Sequence, residues 1–339
     1  MKLLVTGGAG FLGQHLVAAL QERGDAVRVI DRPSPNTERL AEQGVEFYAG
    51  DICQPASLTD PMQGVDAVVH LAALSSIWAP MEEYHAINVT GTENVCRAAL
   101  AAGVERLIHI SSWTVYGMGI KHPAHEDFPL TPLNEPYSVT KALGDRLVQR
   151  MILEDGLPAT IIRPDTIFGP GDSVHVGRMS DRLRAGRSII VGSGRNAMPF
   201  VYVADIVQGL LLALDRPEAV GQAYNIGNDH PLTQEQLLRA IAEEIGVPPP
   251  RLHVPYSALY ATAYLAERAV LLTHSRRKPI LTRLGVTIFG ADNRHAIDKA
   301  RRELGYSPAV PVREGIRRAA AWYSGEFVSP EPALAAASG

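Results

Sequence analysis

The stretch of sequence that decides the fold lies near the start of the chain: Val5-Thr6-Gly7-Gly8-Ala9-Gly10-Phe11-Leu12-Gly13. It follows a short apolar run with strand character and opens a helical pattern. Glycines at positions 7, 10 and 13 permit a tight turn, close approach of the backbone to a pyrophosphate, and close packing of helix on strand. Free N–H groups and the helix dipole attract the anion. The stretch therefore predicts the phosphate-binding turn of a dinucleotide-binding fold.

Asp31 ends the second apolar run of the chain and bears on the choice of dinucleotide. Its carboxylate can accept hydrogen bonds from both adenosine ribose hydroxyls, and its charge would repel a 2′-phosphate. Arg32 is the competing residue, because its guanidinium could pair with such a phosphate. On balance the pair predicts NAD rather than NADP as the cofactor.

Outward from the glycine turn, short β-branched runs alternate with helical patterns through the first half of the chain. The strand-like runs are 3–6, 26–30, 45–49, 67–71 and 107–110, and the longest helical patterns are 11–23, 82–102 and 137–154. Such alternation is typical of a parallel, doubly wound sheet. We expect an α/β protein, a Rossmann fold with a smaller, mostly helical C-terminal substrate lobe.

The rhythm of strand and helix loosens near residue 170. Residues 1–170 are expected to form the NAD-binding Rossmann domain, with later segments near 200–227 returning to it. Residues 171–328 are expected to form mainly the substrate-binding lobe. The tail at 329–339, rich in Ala, Pro and Ser, is expected to be frayed.

Composition and charge argue against several classes of protein. The chain has 339 residues, 46% of them hydrophobic, and a formal net charge of -4, which provides no broad positive field for nucleic acid. Its cysteines, Cys53 and Cys96, are too few for a secreted disulfide scaffold. The most membrane-like stretch, 252–266, is too short to span a bilayer. We expect a cytoplasmic protein with no integral membrane segment and no nucleic-acid partner.

Tyr137 and Lys141 stand four residues apart at the start of a predicted helix, so their side chains project from one face. A neighbouring ammonium and a positively charged oxidised nicotinamide would both favour the phenolate, which can then take or give a carbinol proton. Ser112, at the end of the fifth predicted strand, would donate to the substrate oxygen. These three are the predicted catalytic residues, with Ser111 as the alternative to Ser112.

Further motifs continue along nearly the whole chain. They are Gly50-Asp51-Ile52, His70-Leu71-Ala72-Ala73, Asn88-Val89-Thr90-Gly91-Thr92, Ser111 to Gly117, Pro136 to Lys141, Arg163-Pro164, Phe168 to Gly171, Tyr202 to Asp205 and Tyr224 to Gly227. With the glycine turn they resemble the extended short-chain dehydrogenase/reductase family, within the NAD-dependent epimerase/dehydratase superfamily. The resemblance implies an NAD-dependent oxidoreductase that moves a hydride between nicotinamide and a secondary alcohol or ketone. It also implies a homodimer formed through the helices at 82–102 and 137–154.

The resemblance adds cofactor contacts to those expected from the turn. It implies that Asp51 and Ile52 flank the adenine and that Lys141 also holds the nicotinamide ribose. Asn88 is either a direct contact or a buried amide that stabilises its helix. The full predicted cofactor set is Gly7, Gly10, Phe11, Leu12, Gly13, Asp31, Arg32, Asp51, Ile52, Leu71, Ala72, Ala73, Ser75, Asn88, Tyr137, Lys141 and Pro164. No metal site is predicted, because Pro123 interrupts the cluster of ligand types at 122–127.

Departures from the family pattern bear on the substrate. Trp113 and Thr114 stand where 4,6-dehydratases carry an acidic pair, and neither can protonate a leaving hydroxide. Thr166 and Met198 stand where epimerases hold a sugar-nucleotide diphosphate with an asparagine and an arginine. Nearby arginines that could compensate are Arg178, Arg182 and Arg195.

Segments 192–196 and 278–283 instead resemble the 3β-hydroxysteroid dehydrogenase-like branch. The apolar segment 256–272 is either a substrate-binding surface or a core helix of the lobe. We expect a small-molecule substrate that is sterol-like or otherwise hydrophobic, with a nucleotide-sugar 4-epimerase as the alternative function.

Overall fold

The computed structural model describes residues 1–75, 78–120, 122–172, 174–273, 279 and 281–325. The tail expected to be frayed, 329–339, lies outside the described residues. So do Lys278 and Ile280 of the segment that resembles the 3β-hydroxysteroid dehydrogenase-like branch.

The first half of the chain alternates strands and helices. In chain order these are β1 (Lys2–Thr6), α1 (Phe11–Glu22), β2 (Ala26–Asp31), α2 (Pro35–Glu42), β3 (Glu46–Ala49), α3 (Thr59–Met62), β4 (Ala67–His70), α4 (Met81–His85), α5 (Thr92–Ala101), β5 (Arg106–Ile110), α6 (Pro136–Asp155) and β6 (Ala159–Pro164). The second half is richer in helices. It comprises β7 (Thr166–Phe168), α7 (Val176–Arg184), β8 (Ile190–Val191), β9 (Phe200–Tyr202), α8 (Val203–Asp215), β10 (Ala223–Ile226), α9 (Gln234–Glu244), β11 (His253–Val254), α10 (Tyr256–Leu272), α11 (Arg283–Gly290), α12 (Asp298–Leu304) and α13 (Val312–Tyr323).

The main sheet has seven strands in the order β10-β6-β5-β4-β1-β2-β3, and all of its neighbouring strands are parallel. The doubly wound α/β fold predicted from the alternation is therefore confirmed. The chain leaves β1 towards β2 and β3, then returns to add β4 on the other side of β1. Ligands bind at such a switch point, outside the carboxyl ends of the strands.

Helices bury both faces of this sheet. On one face α1 and α8 pack with a core that includes Leu16, Leu20 and Leu210. On the other face α5 and α6 contribute Val95 and Val148. Every residue of β6 is buried, as expected of a strand covered on both sides.

The helical pattern predicted at 82–102 forms as three consecutive segments rather than one α-helix. A π-helical segment, Ala86–Gly91, separates α4 from α5. Asn88 lies in this segment, with its side chain hydrogen-bonded to the backbone of Leu74. A Cβ added at Gly144 of α6 would lie 2.6 Å from the Asn88 carbonyl oxygen, so the widened turn packs directly on the neighbouring helix.

The smaller lobe has its own cores. Helices α7, α9 and α13 pack around β7 and β9, with Phe168 and Ile316 among the buried residues. Helix α10 is different, because only Ala263 and Glu267 of its residues are buried, so it is not a core helix. Within the described part of the chain, no helix combines the length and apolar character needed to cross a bilayer.

A buried ion pair joins α6 to β6. Arg163 donates from Nε to Asp145 Oδ2 and from Nη2 to Asp145 Oδ1, each at 2.9 Å. Both side chains are almost completely buried. The remaining Asp145 lone pairs accept from Ser111 Oγ at 2.5 Å and Gln149 Nε2 at 2.6 Å. Arg163 also donates to the Tyr116 hydroxyl. Good geometry and full hydrogen bonding are what a buried pair needs to offset desolvation.

Replacing Asp145 by Asn should lower the free energy of unfolding by roughly 3–5 kcal/mol, because the Arg163 charge is left buried without a counter-charge. Urea denaturation followed by circular dichroism measures this loss. The matched control is Arg97→Ala, which breaks an exposed pair with Glu93 on α5 and should cost at most about 0.5 kcal/mol. Similar losses for the two variants would contradict the assigned role of the buried pair.

Candidate active site

The glycine turn lies at the switch point, against the loop that follows β4. Gly7 has a φ of 72°, in the left-handed region. A Cβ at Gly7 would lie 2.7 Å from Ala72 N, and one at Gly13 would lie 2.4 Å from Gly7 O. Helix α1 begins at Phe11, and its N-cap residue, Gly10, has no side chain to bind the first N–H groups, which leaves them available for an anion. The turn and helix end therefore fit a dinucleotide pyrophosphate.

The other predicted cofactor residues lie in the first turn of α1 and at the carboxyl ends of β3, β4 and β6. Phe11 and Leu12 form the first turn of α1, and Leu71, Ala72, Ala73 and Ser75 are partly or fully exposed in the loop after β4. Pro164 is buried at the end of β6. The Asp51 carboxylate accepts from Cys53 N at 2.9 Å, whereas the Ile52 side chain is buried against the Gly91 backbone.

Asp31 is tied to the glycine turn by its carboxylate. Oδ2 accepts from Ala9 N at 3.1 Å, and Oδ1 accepts from Arg32 N at 2.8 Å. The Arg32 residue is exposed. The carboxylate thus lies beside the turn, in the position where an adenosine ribose is held in this class of fold.

Ser112 and Ser111 have different partners. Ser112 Oγ accepts from both Thr114 N at 3.2 Å and Thr114 Oγ1 at 2.9 Å. A hydroxyl that accepts twice keeps its own hydrogen for a further acceptor. Ser111 Oγ instead donates to Asp145, on the buried ion pair. Of the two hydroxyls, that of Ser111 is committed to the buried ion pair, whereas that of Ser112 is hydrogen-bonded to the Tyr137 phenol.

Tyr137 lies in the first turn of α6, with its ring edge-on to Tyr84 at 6.3 Å between centroids. Burial of the phenol raises the pKa of Tyr137, the nearby Ser112 hydroxyl opposes this shift, and the Glu135 carboxylate adds to it. The expectation that the neighbouring ammonium and an oxidised nicotinamide together favour the phenolate stays a prediction. The desolvation of the phenol outweighs the favourable contacts.

Lys141 is buried one helical turn further along α6. Its Nζ donates to the carbonyl oxygen of Ile110 at 2.6 Å, at the end of β5. Burial lowers the pKa of Lys141 to about 8, and the Asp145 carboxylate acts in the opposite direction. The Lys141 ammonium is thus hydrogen-bonded to the carboxyl end of β5 rather than to the Tyr137 phenol.

Asn88 connects two parts of this site. Its Oδ1 accepts from Leu74 N at 2.8 Å, and its Nδ2 donates to Leu74 O at 3.1 Å and to Thr140 Oγ1 at 3.2 Å. The amide therefore ties the loop after β4 to the helix that carries Tyr137 and Lys141.

From the sequence, no role in the site was assigned to His70 or Glu135. His70 Nδ1 lies 2.7 Å from Thr6 Oγ1, and its Nε2 lies 3.1 Å from Thr92 Oγ1. Because Thr92 Oγ1 already donates to the Asn88 carbonyl, Nε2 is the protonated ring nitrogen of His70. Burial and then Lys141 lower the pKa of His70 to about 3, so the ring is a neutral link between β1, β4 and α5.

Glu135 is the N-cap residue of α6, directly before the helical turn that carries Tyr137. Its carboxylate accepts from Tyr137 N at 3.0 Å and Ser138 N at 2.5 Å. The signal was present in the sequence, because an acidic residue before a proline is a recognisable helix start.

The two positions that distinguish epimerases provide no charge. Thr166 Oγ1 accepts from Trp113 Nε1 at 3.1 Å, and Met198 is fully buried. The arginines considered as substitutes, Arg178, Arg182 and Arg195, are all exposed. Across the described residues, no three His, Cys, Asp or Glu side chains come together as a metal site.

The strand order is that of a dinucleotide-binding fold. The glycine turn at its switch point, followed by a helix without a side-chain cap, is where such enzymes bind the pyrophosphate. The chain belongs to the NAD dependent epimerase/dehydratase family, whose model matches residues 3–227. The predicted family, the enzyme class and NAD as cofactor are thereby confirmed, and the protein is an NAD-dependent oxidoreductase.

Three relatives illustrate the similarity. The 2-alkyl-3-oxoalkanoate reductase of Stenotrophomonas maltophilia (strain K279a) is 35% identical, over 94% of this chain and 98% of the relative. The decarboxylating sterol-4-alpha-carboxylate 3-dehydrogenase of Mus musculus is 32% identical, over 94% and 89%. The crystal structure of the dTDP-glucose 4,6-dehydratase DesIV from Streptomyces venezuelae, with NAD and TYD bound, aligns with a TM-score of 0.79 at 29% identity, over 96% and 97%.

Replacing Asp31 by Ala should reduce the preference for NAD over NADP by about tenfold or more, equivalent to about 1.4 kcal/mol, because the charge that repels a 2′-phosphate is lost. The measurement is kcat/KM for each cofactor. Asp31→Asn is the control for the contact with Ala9, since it removes the charge but keeps an acceptor for the turn. An unchanged ratio in both variants, or a wild-type preference for NADP, would contradict the role assigned to Asp31.

Proposed function

We propose that the protein transfers a hydride between NAD and the carbinol or carbonyl carbon of a hydrophobic substrate, with Ser112, Tyr137 and Lys141 as its catalytic residues. The observation that carries the proposal is the Ser112 hydroxyl. It accepts two hydrogen bonds from Thr114 and donates its own proton to the Tyr137 phenol, so that a substrate oxygen bound between the two hydroxyls would contact both. Such a donor stabilises the developing alkoxide.

In the direction of reduction, Tyr137 gives its phenolic proton to the carbonyl oxygen as hydride reaches the carbonyl carbon. In oxidation the phenolate takes the hydroxyl proton. NAD, when bound, supplies or accepts the hydride. Lys141 faces the same sheet edge through its contact with the Ile110 carbonyl, where it would bind the nicotinamide ribose. The glycine turn would hold the pyrophosphate, and Asp31 the adenosine ribose.

The names of two relatives support a narrower substrate class. A 2-alkyl-3-oxoalkanoate and a sterol-4-alpha-carboxylate each carry a carboxylate on the carbon next to the one that is reduced or oxidised. The first carries alkyl groups and the second a sterol skeleton, and both of these are apolar. The substrate we propose is therefore a hydrophobic 3-oxo or 3-hydroxy acid.

The surface of α10 supports the apolar character of this substrate. Large hydrophobic side chains along the helix are exposed, namely Tyr264 at 44%, Leu265 at 66%, Leu271 at 56% and Leu272 at 78%. Exposed apolar patches of this kind often border binding sites for hydrophobic partners or ligands. The uncharged Thr166 and the buried Met198 argue against the alternative, a nucleotide-sugar epimerase.

A cytoplasmic homodimer belongs to the same proposal. The free thiols of Cys53 and Cys96 suit a reducing compartment. On α6, Leu153 is 85% exposed and Leu143 is 37% exposed. Two such helices could cover these apolar side chains by packing against each other.

Replacing Tyr137 by Phe should lower turnover about 10²- to 10⁴-fold while NADH binding is retained, because only the proton-transferring oxygen is removed. Turnover is followed by NADH absorbance with a 2-alkyl-3-oxo acid, and binding by NADH fluorescence. Tyr48→Phe, on the outer strand β3, is the matched control and should retain turnover. Near-normal turnover of Tyr137→Phe would refute the proposed acid-base role.

The substrate class is tested by calorimetric titration in the presence of NAD. A branched 3-hydroxy acid should bind, whereas UDP-glucose, UDP-galactose and dTDP-glucose should not, because Thr166 and Met198 provide no charge for a diphosphate. Micromolar binding of a sugar nucleotide without binding of the hydroxy acid would favour the epimerase.

A further inference from the structure

The N-terminal cap of the catalytic helix is a buried carboxylate. Glu135 is 6% exposed and accepts hydrogen bonds from the backbone N–H groups of Tyr137 and Ser138, at 3.0 and 2.5 Å. In the described part of the chain, no arginine or lysine forms an ion pair with it. Ser, Thr, Asn and Asp are the usual residues at this position, and they reach the same N–H groups with a shorter side chain.

The position of Glu135 gives its charge a direct effect on the proposed acid. Its carboxylate is hydrogen-bonded to the backbone of Tyr137 itself, and a negative charge beside a phenol disfavours the phenolate. Burial makes this interaction stronger than it would be in water, and it also raises the pKa of Glu135 itself, an effect that the N–H donors of Ser138 and Tyr137 oppose. The Glu135 carboxylate therefore disfavours ionisation of Tyr137, which lies in the first turn of the helix that Glu135 caps.

The other groups around Tyr137 do not cancel this charge. On the sheet side, Ser112 is neutral and Lys141 is hydrogen-bonded to the Ile110 carbonyl. On the lobe side, Glu267 of α10 is a second buried carboxylate near Glu135, but its own charge is paired with Arg283 at 2.6 Å. From α4, Tyr84 contributes its ring, and the ionisable residues of that helix, Glu82, Glu83 and His85, are exposed.

We propose that Glu135 is a positioning residue that fixes the first turn of α6 and keeps Tyr137 in its protonated, proton-donating form, so that the site is prepared for ketone reduction. This inference rests on the proposed function. In the reductive step, hydride from NADH forms the new C–H bond as the carbonyl π bond breaks. The Tyr137 O–H bond breaks at the same time to protonate the oxygen, and solvent then restores the phenol proton.

Glu135→Gln tests the charge, because glutamine keeps an oxygen that can accept from the helix N–H groups. With the negative charge gone, Tyr137 should ionise at lower pH. The pH at which oxidation of a branched 3-hydroxy acid by NAD begins to rise should shift downward relative to the wild type. The upper pH limit of reduction should move downward with it.

Two variants serve as controls. Glu135→Asp keeps both the charge and a favoured cap residue, so its pH profile should remain that of the wild type. Glu235→Gln removes an exposed carboxylate from the first turn of α9 and should also leave the profile unmoved. A shift in either control equal to that of Glu135→Gln would overturn the proposal.

A substrate-free measurement separates this inference from the proposed function. The difference in tyrosinate absorbance between a protein and its Tyr137→Phe counterpart isolates the ionisation of Tyr137. This difference titration should move to lower pH when Glu135 is Gln, and it uses folded protein at each pH. An unmoved titration overturns the role of Glu135, even if Tyr137 proves essential. A moved titration in a protein whose Tyr137→Phe variant retains turnover supports the charge effect but refutes the proposed function.

Discussion

The ion pair between Asp145 and Arg163 is the interaction on which the arrangement of the site depends. It joins the helix that carries Tyr137 and Lys141 to the strand next to the one that leads to Ser112. Asp145 also binds the Ser111 hydroxyl, which directs that side chain away from the site. Arg163 holds the hydroxyl of Tyr116, at the far end of the turn that begins after Ser112. One buried pair thus sets the relative positions of helix, strand and turn.

The same pair has an electrostatic consequence for Lys141. Asp145 is the carboxylate that favours the charged form of this buried lysine. The rings of His70 and His109 stack on each other. Burial and, to a smaller extent, Lys141 lower the pKa of each histidine, so both rings are neutral. These two histidines therefore add no positive charge next to that of Lys141. The negative charge of Glu135 lies at the opposite end, beside Tyr137.

The sequence predicted those features that depend on local pattern. The glycine turn, the alternation of strand and helix, and the spacing of Tyr137 and Lys141 each involve residues close together in the chain. The choice between Ser111 and Ser112 could not be made from the sequence, because it depends on Asp145, which lies on a different element. The π-helical segment at Ala86–Gly91 and the exposure of α10 also depend on packing between distant segments. The burial that raises the pKa of the Tyr137 phenol likewise could not be read from the spacing of residues in the sequence.

In the proposed reaction, hydride moves directly between the nicotinamide and the reacting carbon of a hydrophobic substrate, with net turnover of cofactor. Mass spectrometry of the product formed from NADH deuterated at the transferred position tests it most directly, with a 2-alkyl-3-oxo acid as substrate. We predict deuterium on the new carbinol carbon and one equivalent of NAD formed per product. Interconversion of sugar nucleotides with no net change in NADH, and no deuterium in the hydroxy acid, would contradict it.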